Sequence, residues 1–199
     1  MSNLIFNFKS KNIKKIKEIK NLLGGKGANL SEMGRMGLPV PPGFTISTKV
    51  CEIFYKDKKK LNKKLINQIK KELKIIEKDV SKKFGDLKNP LLLSVRSGAR
   101  VSMPGMMDTI LNLGLNDKTV IALANKTSNG RFAKDSYRRF IQMYGSVVMK
   151  VDSYHFEELI ENYKLTKGVL LDTDLDEEDW DGLIQDFKNT IKEKTKNDF

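Results

Sequence analysis

The hydrophobic pattern changes character near residue 116, and this change limits the folds available to the chain. Before it, strand-like runs such as 44–48 and 91–95 alternate with stretches rich in glycine and proline. After it, apolar residues recur at helical spacing over about 118–127, 131–149, 153–166 and 176–194. The sequence therefore predicts an α+β fold, with a mixed α/β lobe over 1–116 and an all-helical subdomain over 117–199.

The composition excludes several protein classes. The 199 residues are 39% hydrophobic and 31% charged, as in soluble globular proteins. The sequence contains no run of 18 apolar residues, which is about the length needed to span a bilayer. The single cysteine, Cys51, excludes an internal disulfide framework and a cysteine-based zinc site, and the single histidine, His155, excludes a multi-histidine metal site. We expect a cytoplasmic protein in which His155 is structural and the Cys51 thiol is packed, with no metal ligands in this chain.

The net charge of +12 is concentrated in the N-terminal half. Residues 1–90 carry 22 Lys and Arg against 8 Asp and Glu, whereas residues 91–199 carry 15 against 17. Most of the basic residues are lysines, as an A+T-rich genome would encode. We expect the lysines of a helix over 61–80 to form a solvated face, and neither a nucleic acid nor a membrane to be a partner. Polyanion binding through 56–88 remains an alternative.

The first segment that could bind a ligand is the motif GGKG at 24–27. Its glycines favour a loop, before a short helix over 28–36 that Gly37 closes. Flanking glycines let backbone N–H groups approach a phosphate, and Lys26 supplies a mobile cation. The spacing is not that of a Walker A motif, so an ordinary turn before a helix is the other interpretation.

The second such segment follows the apolar run 91–95, which is typical of a strand buried on both faces. Arg96 leaves this strand and needs an anion or a carboxylate as a partner. The glycine- and methionine-rich loop over 97–108 is suited to fold over a ligand, although its methionines could simply pack beneath it. The acidic residues over 172–181 fit a helix N-terminus, with a capping box between Asp174 and Glu177, better than a calcium loop.

Three segments together resemble the N-terminal nucleotide-binding region of the pyruvate, phosphate dikinase family: NLLGGKGANLSEMGRMGLPVPPGFTIST at 21–48, PLLLSVRSGARVSMPGMMDTILNLGLND at 90–117 and GRFAKDSYRRFIQMYGSVVM at 130–149. The resemblance implies a partial ATP-grasp domain that binds ATP. It also implies that Lys26 and Arg96 contact the nucleotide phosphates as the catalytic pair, and that the loop over the phosphates contains Ser102, Met103, Gly105 and Asp108. We expect the two cations to converge on one hollow.

The resemblance also implies what this chain does not carry. The family transfers the β-phosphoryl group of ATP to a carrier histidine and then to pyruvate, which gives phosphoenolpyruvate, AMP and pyrophosphate. The carrier histidine lies in a Thr-Ser-His motif that His155 does not match. We therefore expect that histidine and the Mg²⁺ ligands to lie beyond this chain and the isolated chain to be inactive. The resemblance also implies a homodimer for the full-length enzyme. A non-catalytic nucleotide-binding or structural remnant of that enzyme is the alternative.

Overall fold

The computed structural model describes residues 4–9, 19–98 and 108–199. The described strands are β1 (Ile5–Asn7), β2 (Phe44–Ile46), β3 (Leu93–Arg96) and β4 (Thr109–Leu113). The described helices are α1 (Ile19–Arg35), α2 (Thr48–Lys56), α3 (Lys63–Val80), α4 (Thr119–Thr127), α5 (Gly130–Val147), α6 (Ser153–Lys167) and α7 (Glu177–Thr195). The mixed α+β composition agrees with the predicted fold class and is consistent with a partial ATP-grasp domain. None of the helices in this part of the chain combines the length and apolar character needed to cross a bilayer.

The contacts divide the chain into two compact units. Unit 1 comprises the described residues within Met1–Ser81 and Ser97–Met107, and unit 2 those within Lys82–Arg96 and Asp108–Phe199. The β3–β4 pair joins the helices of unit 2 because α5 packs directly on β4. The division between the compact units does not fall at residue 116. The boundary predicted near residue 116 concerns the organisation of the parent domain, and it stays a prediction.

Unit 1 is built around a short antiparallel pair in which Ile5 lies opposite Ile46. Helix α3 packs on β1, and α1 packs on α2 and β2. The apolar side of α3 supplies Leu65 to the small core, while its lysines at 63, 64, 70, 71 and 74 are exposed as predicted. The side chain of Asn62 accepts a hydrogen bond from the Leu65 N–H (2.9 Å) and so caps α3.

The prediction of a loop over 24–27 is wrong for most of that motif. Residues 19–35 form one helix that is interrupted at Gly24, whose φ of 69° and ψ of 169° are not helical. Only a glycine adopts this backbone conformation at low cost. The helix resumes at Gly25 and ends at Arg35, before the left-handed Gly37.

The strand predicted over 91–95 is shorter and less buried than expected. It begins at Leu93, and Val95 is 45% exposed. Among the described residues, β3 pairs only with β4, and Ile110 and Leu113 of β4 pack against the helical core of unit 2. Burial on both faces is therefore not observed.

Unit 2 has a larger core. The predicted apolar face of α7 is confirmed, because its side chains at 180, 183, 184, 187 and 191 are all at most 2% exposed. On α5, Phe140 and Ile141 are buried as predicted, but Phe132 in its first turn and Val148, the residue after its end, are about half exposed. The capping box of α7 is formed by Asp176 and Asp179, two residues beyond the predicted pair.

Candidate functional site

The interruption of α1 places Lys26 in the first turn of a new helical segment. Residues 25–35 continue as a helix after Gly24, and the Lys26 side chain is exposed. The first N–H groups of a helix have no partner within it and carry the positive end of its dipole. A lysine in that turn adds a full positive charge to these donors. This arrangement suits the binding of a phosphate group.

Packing against β2 and α2 holds this turn in place. A Cβ atom on Gly27 would lie 2.8 Å from both Oγ1 and Cγ2 of Thr45, so only glycine allows the helix to approach β2 this closely. On the other side of the interruption, the hydroxyl of Thr48 donates a hydrogen bond to the Asn21 carbonyl oxygen (2.7 Å). Leu23 is buried at 3% exposure beneath the turn. The backbone on both sides of Gly24 is therefore tied to the same corner of unit 1.

Arg96 ends β3 in unit 2. Its Cα lies opposite that of Thr109, the first residue of β4, and Asp108 immediately precedes that strand. Both Arg96 and Asp108 are exposed. The strand register thus brings the backbone positions of Arg96 and Asp108 to the same end of the β3–β4 pair.

The remaining loop residues that the resemblance singled out, Ser102, Met103 and Gly105, lie outside the described residues. Lys26 and Arg96 belong to different compact units. Their convergence on one hollow therefore stays a prediction.

Two surface depressions within unit 2 involve other residues. One, of about 460 Å³, is lined by Asn189, Lys192 and Glu193 of α7 and by Lys196, which follows the helix. The other, of about 450 Å³, lies between the chain around Lys88 and the end of α4 around Lys126. Neither is lined by a residue of the predicted phosphate-binding motifs.

The acidic residues before α7 act as helix caps. Asp176 accepts hydrogen bonds from the N–H groups of Glu178 (2.9 Å) and Asp179 (3.1 Å), and its carboxylate pairs with Lys167 at 2.5 Å. The hydrogen bond from Lys167, followed by those from the backbone, lowers the pKa of Asp176 to about 2. Within the described residues, no group of three or more His, Cys, Asp or Glu side chains could hold a metal ion.

The single cysteine and histidine differ in their surroundings. Cys51 is exposed, so the predicted packed thiol is wrong. His155 is half-buried in α6, with its ring centroid 5.9 Å from that of Tyr154. None of its contacts with the described residues indicates a chemical role for it.

The sequence analysis missed a buried cation in unit 2. Arg138 is only 4% exposed, pairs with Asp135 at 2.5 Å and stacks 4.5 Å from the centroid of the Trp180 ring. Arg131 reaches the same ring and donates to the backbone carbonyl of Leu175 (2.6 Å). Arg138 follows the buried Tyr137, but sequence patterns predict burial for apolar residues and not for an arginine. These contacts join α5 to α7 and support the fold of unit 2.

Comparison with known proteins identifies the relatives of the chain. Residues 20–71 match the family described as "Pyruvate phosphate dikinase, AMP/ATP-binding domain". The chain is 53% identical to the pyruvate, phosphate dikinase of Entamoeba histolytica over 180 residues, which are 90% of this chain and 20% of that protein. It is 54% identical to that of Clostridium symbiosum over 175 residues, 88% of this chain and 20% of that protein.

A plant relative extends the comparison. The chain is 51% identical to the chloroplastic pyruvate, phosphate dikinase 1 of Arabidopsis thaliana over 183 residues, which are 92% of this chain and 19% of that protein. The resemblance inferred from the three sequence segments is confirmed. The chain spans about a fifth of the length of the curated relatives it matches.

Proposed function

We propose that this chain, which is similar over nine-tenths of its length to pyruvate, phosphate dikinases, is the ATP-binding N-terminal part of such an enzyme. The full enzyme would convert ATP, phosphate and pyruvate to AMP, pyrophosphate and phosphoenolpyruvate through a phosphohistidine. The observation that carries the proposal is the exposed Lys26 in the first turn of a helical segment, within the residues that match an AMP/ATP-binding domain.

In this function the chain neutralises and orients phosphate charge. Phosphoryl transfer depends mainly on the positioning of the phosphates and on electrostatic stabilisation. The Lys26 ammonium and the first N–H groups after Gly24 would hold one side of the phosphate chain, and the Arg96 guanidinium would hold another. Asp108 and the loop with Ser102, Met103 and Gly105 would cover the phosphates.

The Mg²⁺ that accompanies ATP would need ligands from elsewhere. Magnesium is bound by carboxylates together with substrate phosphates. As the family resemblance implies, we propose that its protein ligands lie outside this chain. The carrier histidine is placed outside it as well, so the 199-residue chain alone should show no ATP–AMP exchange.

The full-length enzyme is proposed to be a cytoplasmic homodimer. Its named relatives include chloroplastic plant proteins, so subcellular fractionation is the test of location. Light scattering of the full-length protein tests its oligomeric state.

Titration with ATP, followed by NMR of the ¹⁵N-labelled chain, tests the binding site. We expect weak binding that Lys26→Ala and Arg96→Ala each reduce by about tenfold or more, because a charge-assisted hydrogen bond contributes about 1.5–3 kcal/mol. Lys20→Ala removes an exposed lysine from α1 before the interruption, and Arg139→Ala removes an exposed arginine from α5. These controls should change the affinity by less than about twofold.

Two results would contradict the proposal. One is ATP affinity that Lys26→Ala leaves unchanged, which would point to binding at another place, such as the lysines of 56–88. The other is the absence of any ATP-dependent shift at residues 25–27 at millimolar ATP, which would favour a structural remnant.

A further inference from the structure

We propose that Thr48 is a positioning residue for the phosphate-binding turn, acting through the backbone of α1 and not through the nucleotide. This inference rests on the proposed function of Lys26. It concerns residues of unit 1 only: the α1 interruption at Gly24 and the corner where β2 leads into α2.

The corner between β2 and α2 contacts α1 on both sides of the interruption. Before Gly24, the Thr48 hydroxyl donates to the Asn21 carbonyl oxygen at 2.7 Å. After Gly24, the side chain of Thr45 occupies the space that a Cβ atom on Gly27 would need. The two contacts are three residues apart along the corner, so they fix the two parts of α1 against one short piece of backbone.

The Thr48 hydroxyl serves α1 and not its own helix. Thr48 is the first residue of α2, and the residue before it, Ser47, holds the N-cap position, where a side-chain oxygen commonly accepts from the helix N–H groups. Ser47 makes no such side-chain hydrogen bond, and its buried hydroxyl has no hydrogen-bond partner among the described residues. The hydroxyl of Thr48 instead donates its hydrogen bond to Asn21, a residue 27 positions earlier in the sequence.

The corner is itself held firmly. The Ser47 N–H donates to the Leu4 carbonyl oxygen at 2.9 Å, next to the β1–β2 pair. Val50, one turn into α2, is buried with Ile5 and Leu65 in the core of unit 1. Thr48 therefore links a fixed corner to a helix interruption at Gly24, a residue with no Cβ atom to restrict its backbone.

The consequence concerns the direction of the Lys26 turn. With both parts of α1 fixed, the N–H groups of Gly25, Lys26 and Gly27 keep one orientation before a nucleotide arrives. Such preorganisation lowers the entropic cost of binding phosphate. Loss of the Thr48 hydroxyl should therefore weaken the binding of phosphate groups and leave the binding of the nucleoside unchanged.

The test compares Thr48→Val, which removes the hydroxyl at nearly constant shape, with Thr48→Ser, which keeps it. Thr166→Val is the matched control, because the Thr166 hydroxyl also donates to a backbone carbonyl oxygen, that of Asn162 (2.8 Å), but in α6 of unit 2. The first readout is the ¹⁵N order parameter of residues 25–27 without nucleotide. We expect about 0.85 in the wild type, Thr48→Ser and Thr166→Val, and a decrease towards about 0.6 in Thr48→Val.

The second readout is the affinity for ATP and for adenosine, measured from chemical shifts. We expect Thr48→Val to weaken ATP binding by about three- to tenfold, in line with one lost hydrogen bond. Thr48→Ser should restore it, and adenosine affinity should be the same in all variants. A general loss of structure would instead weaken both ligands and would not be rescued by serine.

The two readouts separate the inference from the function on which it rests. An unchanged order parameter in Thr48→Val would overturn the positioning role, whatever happens to ATP. Equal losses of ATP and adenosine affinity would overturn it too. If Thr48→Val loosens residues 25–27 but ATP shifts nothing there in the wild type, the contact is structural, and both the phosphate-binding role of Lys26 and the inference built on it are overturned.

Discussion

At the scale of single residues, two helical glycines mark places where a neighbouring side chain leaves no room for a Cβ atom. Gly27 lies against Thr45 in unit 1, and Gly145 lies where α5 meets α6 and α7 in unit 2. Both glycines are helical, although glycine is a poor helix former. The sequence predicted a loop at Gly27, whereas in the structure a Cβ atom there would clash with Thr45. A glycine in the sequence can therefore indicate either a loop or a closely packed helix, and only its spatial neighbours distinguish the two.

Gly145→Ala should destabilise the protein. The new Cβ would lie 2.8 Å from Cζ of the fully buried Phe156 and 3.1 Å from Cδ1 of Ile191. Overpacking of this kind typically costs about 1–3 kcal/mol. Urea unfolding followed by Trp180 fluorescence measures the free energy of unfolding of unit 2.

Gly25→Ala is the matched change, since a Cβ at that helical position would meet no atom within 4 Å. It should leave the stability unchanged or raise it by up to about 1 kcal/mol, because alanine favours the helix. That variant is followed by far-UV circular dichroism. Equal stability of Gly145→Ala and the wild type would contradict the packing argument.

At the scale of the elements, helix boundaries were predictable where periodicity and capping agree. The helices after residue 117 were predicted to within one or two residues because their apolar faces repeat at 3.6 residues per turn. The capping box of α7 was misplaced by two residues because several acidic residues in succession could each serve as the cap. In α1, three glycines suggested a loop, but only Gly24 departs from helical geometry.

Asp176→Asn should reduce the dependence of stability on acid pH. The pKa of Asp176 is lowered to about 2 from an ordinary 3.8, mainly by Lys167 and by the backbone N–H groups at the start of α7. A carboxylate with a lowered pKa stabilises the fold above the pKa of the unfolded state. This contribution is lost as the pH falls from about 4 to about 2.

The measurement is the Tm of both proteins between pH 6 and pH 2.5. The Tm of the wild type should exceed that of Asp176→Asn at pH 6, and the difference in Tm should shrink at low pH. The difference should be moderate even at pH 6, because asparagine can still cap the helix. Asp198→Asn removes the carboxylate that pairs with the exposed Lys192 and controls for a lost surface charge. A difference that stays constant down to pH 2.5 would argue against this role of Asp176.

At the scale of the whole molecule, the two compact units differ in how much core they contain. The main cluster of unit 2 has fifteen buried apolar residues, and the two clusters of unit 1 have three and two among the described residues. Residues 20–71, which match the nucleotide-binding family, lie in the unit with the smaller core. Because apolar burial is the main source of stability, unit 1 should be the weaker part.

Urea unfolding should therefore occur in two steps. The single tryptophan, Trp180, is fully buried in unit 2 and reports only on that unit. Far-UV circular dichroism also detects α1, α2 and α3 of unit 1, so its transition should begin at lower urea than the fluorescence change. Coincident curves from the two probes would show cooperative unfolding of both units and contradict this expectation.

The sequence by itself determined the helices of unit 2, the exposed lysine face of α3, the α+β class and the family resemblance. These follow from local periodicity, from charge on one side of a helix and from motifs that remain recognisable without coordinates. Tertiary structure decided that residues 25–35 are helical, that Thr45 and Thr48 contact α1 on the two sides of Gly24, and that most of the strand ending at Arg96 is exposed. Those features depend on contacts between residues distant in sequence, such as Asn21 with Thr48, for which local patterns carry no signal.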